Sequence, residues 1–262
     1  MSHPDHLRIW LTGASSGIGL ALAEELLLAG HHVAVTARKV APLEALYKRF
    51  PKQVMVAAGD INDAAQICAI CDRIAAVWGA LDMAILNAGT CEYIDARQFD
   101  AAMVERVVRT NLIATSYCIQ EALPLLRLGH RPHLVGVVSA VTLLPLPRSE
   151  AYGASKAGLR YLFDSLRIDI AEEGIDVTVV TPGFVDTPLT EQNDFAMPMR
   201  WPALRAARYI ASRIQRQRRP LEIAFPGPFI MAMRLLALLP LRLQLALGKR
   251  MVRHEHTHKD AQ

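Results

Sequence analysis

"TGASSGIG", residues 12–19, stands between a short apolar run and a stretch of helical spacing, and its reading decides the fold. Gly13, Gly17 and Gly19 form G-x-x-x-G-x-G. Glycines so placed allow a tight turn and a close approach of backbone to a ligand. A helix opening within the turn presents unpaired N–H groups and the positive end of its dipole, which together suit a pyrophosphate. No Gly-Lys-Ser/Thr occurs, which argues against a nucleotide-hydrolysing phosphate loop. The turn carries this meaning only after the first strand of a βαβ unit, so its flanks must supply the context.

Short apolar runs and helical stretches alternate along the whole chain. Residues 7–12, 31–37, 53–58, 81–89, 133–140, 175–183 and 221–225 read as strands. Helices are expected over 17–29, 40–50, 63–78, 98–127, 151–173 and 203–217, with Gly30, Pro51 and Gly174 as stops. Uniformly apolar strands alternating with helices argue for an α/β fold with a doubly wound parallel sheet of about seven strands, covered on both faces. There is no internal repeat and no Gly/Ser linker, so one domain is expected over 1–226. A helical extension of that domain follows over 227–253, and a disordered tail over 254–262.

Of the 262 residues, 52% are apolar and 21% charged, which suits a globular protein with a substantial core. The net charge of +4 is mild, and no nucleic-acid motif occurs, so no nucleic-acid partner is expected. The basic run "RIQRQRR" (213–219) reads as a solvated helix end, with phosphate or anionic lipid binding as the alternative. Cys68, Cys71, Cys91 and Cys118 show no disulfide framework, so reduced thiols and a cytoplasmic location are expected. "CAIC" (68–71) has redox spacing but falls in the middle of a helix, away from the helix N-terminus that would stabilise a thiolate. "MSHPDHLRIW" (1–10) lacks the order of a signal peptide.

Two further places carry chemistry. The end of the second strand reads "TARK" (36–39), with Arg38 where a carboxylate would select a free ribose 2′-hydroxyl. A guanidinium matches a 2′-phosphate in charge and geometry, so NADP(H) is the expected cofactor, and Ser15 can add a hydroxyl. "EAYGASKAG" (150–158) places Tyr152 and Lys156 four apart, on one face of a helix. An ammonium beside a phenol favours the phenolate, so the pair can serve as a tuned acid–base.

These segments together resemble the short-chain dehydrogenase/reductase family. The resemblance rests on "TGASSGIG" (12–19), "NAG" (87–89), Asn111 in "TNL", Ser139 after the fifth strand, "YGASK" (152–156) and "PGFVDT" (182–187), and it runs from about residue 6 to 226. Leu86 replaces the first of a common Asn pair. The resemblance implies a single Rossmann-type domain. It implies Tyr152 as the acid or base at a carbonyl or alcohol, Lys156 as the group that lowers the tyrosine pKa and bonds the nicotinamide ribose, and Ser139 as the hydrogen-bonding partner of the substrate oxygen. Asn111 would hold a water that relays protons from Lys156. For the cofactor it implies contacts at Gly13, Ser15, Ser16, Gly17, Ile18 and Gly19 in the turn, and at Asn87, Ala88 and Gly89 along the adenine ribose. Asp60, with Ile61, would bond the adenine amine, although Asp60 can equally cap the next helix. Pro182, Gly183, Val185 and Thr187 would hold the carboxamide end. A homodimer or homotetramer through the fourth and fifth helices is also implied.

The expected activity is NADP(H)-dependent reduction of a ketone or aldehyde, or oxidation of the matching secondary alcohol, on an apolar or lipid-like substrate. The rival is a non-catalytic NADP(H)-sensing regulator, against which stands the presence of both Tyr152 and Lys156. Residues 188–201 fall where the family keeps a mobile substrate loop, and Phe195, Met197, Met199 and Trp201 suit either an apolar pocket or loop packing. The extension at 226–253 is too broken by Arg234, Pro240 and Arg242 to span a membrane. It can roof the cleft, pack across a dimer, or lie on a membrane surface as an interfacial helix, and the roof is the reading carried forward. "HEHTH" (254–258) has the form of a zinc-protease motif, but an exposed polar chain end cannot hold it in register, so no metal is expected.

Overall fold

The computed structural model describes residues 6–257 except 192 and 194, with the backbone alone for 250–257. The strands are β1 (Arg8–Thr12), β2 (His32–Thr36), β3 (Val54–Val56), β4 (Met83–Leu86), β5 (His133–Val137), β6 (Asp176–Pro182), β7 (Val185–Asp186), β8 (Trp201–Pro202) and β9 (Glu222–Phe225). The helices are α1 (Gly17–Leu28), α2 (Val40–Arg49), α3 (Ala64–Trp78), α4 (Ala101–Val108), α5 (Ala114–Arg127), α6 (Glu150–Asp169), α7 (Ala203–Ile214), α8 (Gly227–Ala237) and α9 (Leu241–Thr257).

Seven strands form one parallel sheet in the order β3-β2-β1-β4-β5-β6-β9. The order reverses between β1 and β4, and ligands of such sheets bind beyond the carboxyl ends of the strands at that point. Each sheet face carries its own apolar core. One joins Ile9, Leu11, Leu22, Leu26 and Val35 to Ile210 and Ile214, and the other joins Trp10, Leu86 and Leu134 to Ile67, Ile74, Leu126 and Phe163. Every strand must therefore be apolar on both sides, and Trp10, fully buried, satisfies its indole N–H on Thr36 Oγ1 at 2.9 Å. A Cβ at Gly136 of β5 would lie 2.2 Å from Phe163 Cε2, so the missing side chain there lets α6 settle directly on the sheet.

The expected helix over 98–127 is interrupted. Residues Arg109–Ile113 form a π-helical turn between α4 and α5, and this turn contains Asn111. The α3 cap is Asp63, whose carboxylate accepts from Ala65 N and Gln66 N, so the alternative of Asp60 as the cap is corrected. Asp60 Oδ1 instead accepts from Asn62 N at 3.0 Å and Asn62 Nδ2 at 3.1 Å. The basic run is a solvated helix end over residues 215–218, exposed past α7, and departs from that reading only at Arg219. Arg219 is 5% exposed, donating to Arg131 O and Pro132 O and pairing with Asp176 at 3.1 Å. Cys68 and Cys71 lie within α3, where neighbouring Asp72 pushes the first thiol up and burial pushes up the second, the opposite of a reactive pair.

Among the described residues no helix is long and apolar enough to cross a membrane. Helix α9 runs to Thr257, past the expected end of the extension at 253. Residues 258–262 of the expected tail, including the last histidine of "HEHTH", lie outside the described residues.

Candidate active site

The glycine turn leaves no room for side chains. A Cβ at Gly19 would lie 2.1 Å from Gly13 O, one at Gly13 would lie 2.8 Å from Ala88 Cα, and one at Gly17 would lie 2.9 Å from Thr187 Cγ2. Gly13 and Gly17 also take φ of +71° and +54°, which disfavours any other residue. Asn87 staples the turn to the end of β4. Its side-chain N–H donates to Thr12 O at 3.1 Å and Gly13 O at 3.3 Å, while Asn87 N and Ala88 N both donate to Thr12 Oγ1 at 3.1 Å. The Asn87 side chain is thus spent on the turn itself.

Ser16, the N-cap of α1, makes no side-chain capping bond, so the N–H groups of the first turn keep their capacity for an anion. Ser15 and Ile18 are half-buried beside it. Arg38 is exposed just beyond β2, and Ile61 is buried below the half-buried Asp60. Together the cradle, the uncapped helix start and the exposed guanidinium fit a dinucleotide with an additional phosphate.

Tyr152 and Lys156 sit on α6, whose seat against β5 brings the pair beside Ser139. Lys156 is 4% exposed, and its ammonium donates to Val137 O at 2.9 Å. It lies 5.9 Å from the Tyr152 ring centroid. Burial pulls the lysine pKa from 10.5 down to about 8, with the nearby Cys91 opposing. Burial pushes the Tyr152 phenol above its ordinary 10, Cys91 adds to this, and a hydrogen bond with Ser139 works against it. In this structure desolvation is the largest effect on the phenol, and the Lys156 ammonium is turned to the Val137 carbonyl.

Asn111 is fully buried in the π turn. Its side-chain N–H group donates to Thr90 O and to Ser155 Oγ, both at 2.9 Å, and its oxygen accepts from Thr90 N at 2.7 Å. Ser155 Oγ donates in turn to Tyr152 O at 2.8 Å. The side chain therefore ties the loop after β4 to the catalytic helix, and π turns recur at functional sites. Gly89 faces this group, a Cβ there lying 3.1 Å from Asn111 Oδ1 and 3.2 Å from Lys156 Nζ.

Beyond Ser139 and Tyr152 opens a cleft of about 610 Å³, including solvent at its mouth. Tyr93, Leu146, Phe184, Leu189, Phe195, Phe229 and Met233 make it apolar, and Pro182 and Gly183 form its inner edge. Rings meet edge to face or tilted, with Tyr93–Phe195 at 5.7 Å, Phe184–Phe195 at 6.1 Å and Phe184–Phe229 at 5.5 Å between centroids. Of the aromatic and methionine residues in 188–201, Phe195 lines the cleft, whereas Met199 is 56% exposed and Trp201 stacks on Phe225 at 5.0 Å. The loop is closed at its base by pairing of β7 with β8, by Trp201 N donating to Phe184 O, and by Asp186 with Arg200 at 2.7 Å. This pairing buries Val185 and leaves Thr187 half-buried against the glycine turn.

Tyr93 and Leu146 had no motif to announce them, because each comes from a different segment. Phe184 lay inside "PGFVDT", and Phe229 with Met233 has i, i+4 spacing in an apolar extension, so their signal was present but did not point inward.

Residues 8–197 match the family model for short chain dehydrogenase. An uncharacterized oxidoreductase of Myxococcus xanthus is 32% identical, over 88% of this chain and 91% of its own. Cis-4-hydroxycyclohexanecarboxylate dehydrogenase of Sinomonas cyclohexanicum is 34% identical, over 82% and 84%. A short-chain dehydrogenase of Streptomyces avermitilis superposes with a TM-score of 0.81 at 24% identity, covering 96% of this chain and 99% of its own. A Thermococcus sibiricus alcohol dehydrogenase with 5-hydroxy-NADP gives 0.76 at 20%, over 84% and 96%. A Burkholderia phymatum short-chain dehydrogenase/reductase with NAD gives 0.79 at 20%, over 90% and 94%. With that match over most of its length, the chain belongs to the short-chain dehydrogenase/reductase family of oxidoreductases.

Proposed function

We propose that this protein is an NADP(H)-dependent reductase of an apolar ketone or aldehyde, or the dehydrogenase of the matching secondary alcohol. The observation that carries the reading is the meeting of Ser139 and Tyr152 with an apolar cleft edged by Pro182 and Gly183, shortly before the Thr187 that lies against Gly17 of the glycine turn. A bound nicotinamide dinucleotide supplies the hydride. The chain's own residues orient the carbonyl and move the proton. Ser139 would hydrogen-bond the carbonyl oxygen, and Tyr152 would give it a proton as negative charge develops. The raised Tyr152 pKa supports this role, since the phenol stays protonated at neutral pH and ready to donate. Lys156 would hold ribose hydroxyls and, through Asn111 and a water, connect the proton to solvent.

Arg38 supports NADP(H). It stands exposed at the end of β2 and makes no hydrogen bond or ion pair with any described residue. The cleft lining supports an apolar substrate, and a relative named for a hydroxycyclohexanecarboxylate supports a secondary alcohol as the reacting group. Phe229 and Met233 support a roof for the first half of the extension. Tyr117 on α5, with Tyr161 and Ile168 on α6, is exposed at 39%, 78% and 76%, which supports a dimer or tetramer through those helices, measurable by light scattering. The decisive experiment is Tyr152→Phe, which should slow carbonyl-dependent NADPH oxidation by about 10²-fold or more, with NADPH affinity little changed. Near-normal turnover would remove Tyr152 from the mechanism.

A further inference from the structure

Helix α8 forms the outer wall of the cleft through Phe229 and Met233, yet it leaves the sheet directly from its edge strand and has no strand beyond it for support. Its first turn is well fixed. Gly183 N donates to Phe225 O at 2.6 Å, and a Cβ at Gly183 would lie 2.9 Å from Phe229 Cδ1. What fixes the far end is a carboxylate under the helix.

We propose that Glu222 is a positioning residue that latches α8 to the catalytic helix α6 and so sets the width of the substrate cleft. The proposal rests on the reading of that cleft as the substrate site. Glu222 Oε1 accepts from Arg160 Nη1 at 2.8 Å and from Thr181 Oγ1 at 2.7 Å, and Oε2 accepts from Arg234 Nη2 at 2.5 Å. The three donors come from three different elements. Arg160 follows Lys156 by one helical turn and Tyr152 by two, on the same face of α6. Thr181 immediately precedes Pro182 and Gly183, the inner edge of the cleft. Arg234 is adjacent to Met233 in the cleft wall. One side chain thus connects the acid–base helix, the end of β6 and the wall.

Burial alone would push the Glu222 carboxyl up. Hydrogen bonds from Arg160 and Thr181, with the charges of both arginines, hold it below its ordinary range, so the latch stays charged through the neutral range. Its value is geometric rather than energetic. Glu222 is 22% and Arg234 45% exposed, and pairs with that much solvent add little to stability. A residue that only held the fold together would affect every property of the enzyme alike. A latch on α8 would affect only what the wall touches.

The test uses the whole protein with Glu222→Gln, Arg234→Met and the double variant. Hydrogen exchange of the amides in 227–237 should quicken about three- to fivefold in either single variant, with no further gain in the double, while exchange in α1 stays unchanged. With NADPH, the Michaelis constant for acetophenone should rise about three- to tenfold, while kcat and the constants for butanone and NADPH stay within about twofold. Arg234→Lys, which keeps the charge, should restore most of the difference. Unchanged exchange in α8, or a uniform rise across all segments, would overturn the latch. So would equal changes in the acetophenone and NADPH constants. If the wild type reduces neither ketone, the reading of the cleft fails, and exchange in α8 still decides the latch.

Discussion

The glycine turn and the aromatic cleft are joined by the segment 182–187, with Pro182 and Gly183 lining the cleft and Thr187 against Gly17, but the two sides are built differently. On the first side, backbone lies against backbone, as with the 2.1 Å that would separate a Gly19 Cβ from Gly13 O. Nothing there can yield, and Asn87 fixes the turn with directed hydrogen bonds. On the second side, four rings and a methionine from four segments lean on one another at centroid distances of 5.5–6.1 Å. Ring contacts are non-directional by comparison and can be remade after a change. The difference teaches where each kind of specificity is kept. On the proposed function, a shape common to all dinucleotides is held rigidly, and a shape particular to one substrate is held by parts that can be exchanged.

The largest expected effect breaks the first side through Lys156→Met. Activity should fall by about 10²-fold or more, because the proposed acid–base pair and ribose contact would be lost together. The cofactor-free protein should nevertheless become more stable at pH 7. A lysine whose pKa falls from 10.5 to about 8 on folding disfavours the fold wherever it is charged. The difference amounts to roughly 3 kcal/mol, because each tenfold loss of proton affinity on folding costs about 1.4 kcal/mol. The sign follows from proton linkage. Between about pH 8 and 10.5 the unfolded chain binds more protons than the folded one, so wild-type stability rises with pH across that window. The advantage of the methionine variant should therefore be full below pH 8 and vanish above 10.5. Thermal unfolding on both sides of that window and within it checks this, and a variant less stable at every pH would show that the ammonium supports the fold.

A smaller change, confined to the rim of the same side, is Arg38→Asp. It replaces attraction for a 2′-phosphate by repulsion. A charge-assisted contact contributes about 1.5–3 kcal/mol, so preference for NADPH over NADH should fall at least tenfold. Ratios of kcat/KM for the two cofactors measure it. A wild type that already prefers NADH would show that Arg38 stands beside the site without reading the phosphate.

The same contrast governs how much could be read without a structure. The glycine turn, Asn87, Ser139, Tyr152 and Lys156 were legible because each needs a particular residue at a particular spacing. The doubly wound parallel sheet was legible too, since apolar runs alternating with helices leave few alternatives. The π turn at Asn111 was not. It adds one residue to a helical repeat, and its cause is a set of tertiary hydrogen bonds to Thr90 and Ser155. Nor was the rise in the Tyr152 pKa, because desolvation depends on what covers a group, and spacing shows only which group is nearby. The aromatic side was the least legible. Phe195 and Trp201 sit six apart in one loop with similar chemistry, yet one faces the cleft and the other stacks on Phe225. That choice is made by the pairing of β7 with β8, two residues each, which no periodicity can announce.

The mildest prediction tests whether the two sides are independent. Phe229→Ala removes a ring that touches Phe184 across the cleft and presses on Gly183 from outside. An aromatic pair is worth about 0.5–1.5 kcal/mol beyond its burial, so the Michaelis constant for acetophenone should rise a few-fold. The stability loss should stay well under the roughly 3–5 kcal/mol of a fully buried Phe→Ala change, since this ring is only half-buried. Bulkier aryl ketones should become better substrates in compensation, because the vacated space joins an open cleft and leaves no sealed cavity. Cofactor affinity should hold if the aromatic side is a replaceable wall. Gly183 is where that independence is challenged, for its backbone N–H is bonded to Phe225 O and a Cβ there would lie 2.9 Å from Phe229 Cδ1. Weaker NADPH binding in Phe229→Ala, read by fluorescence titration, would mean that the ring holds Gly183 in place for the cofactor. The two sides would then be one mechanical body, and substrate and cofactor specificity could not be altered separately.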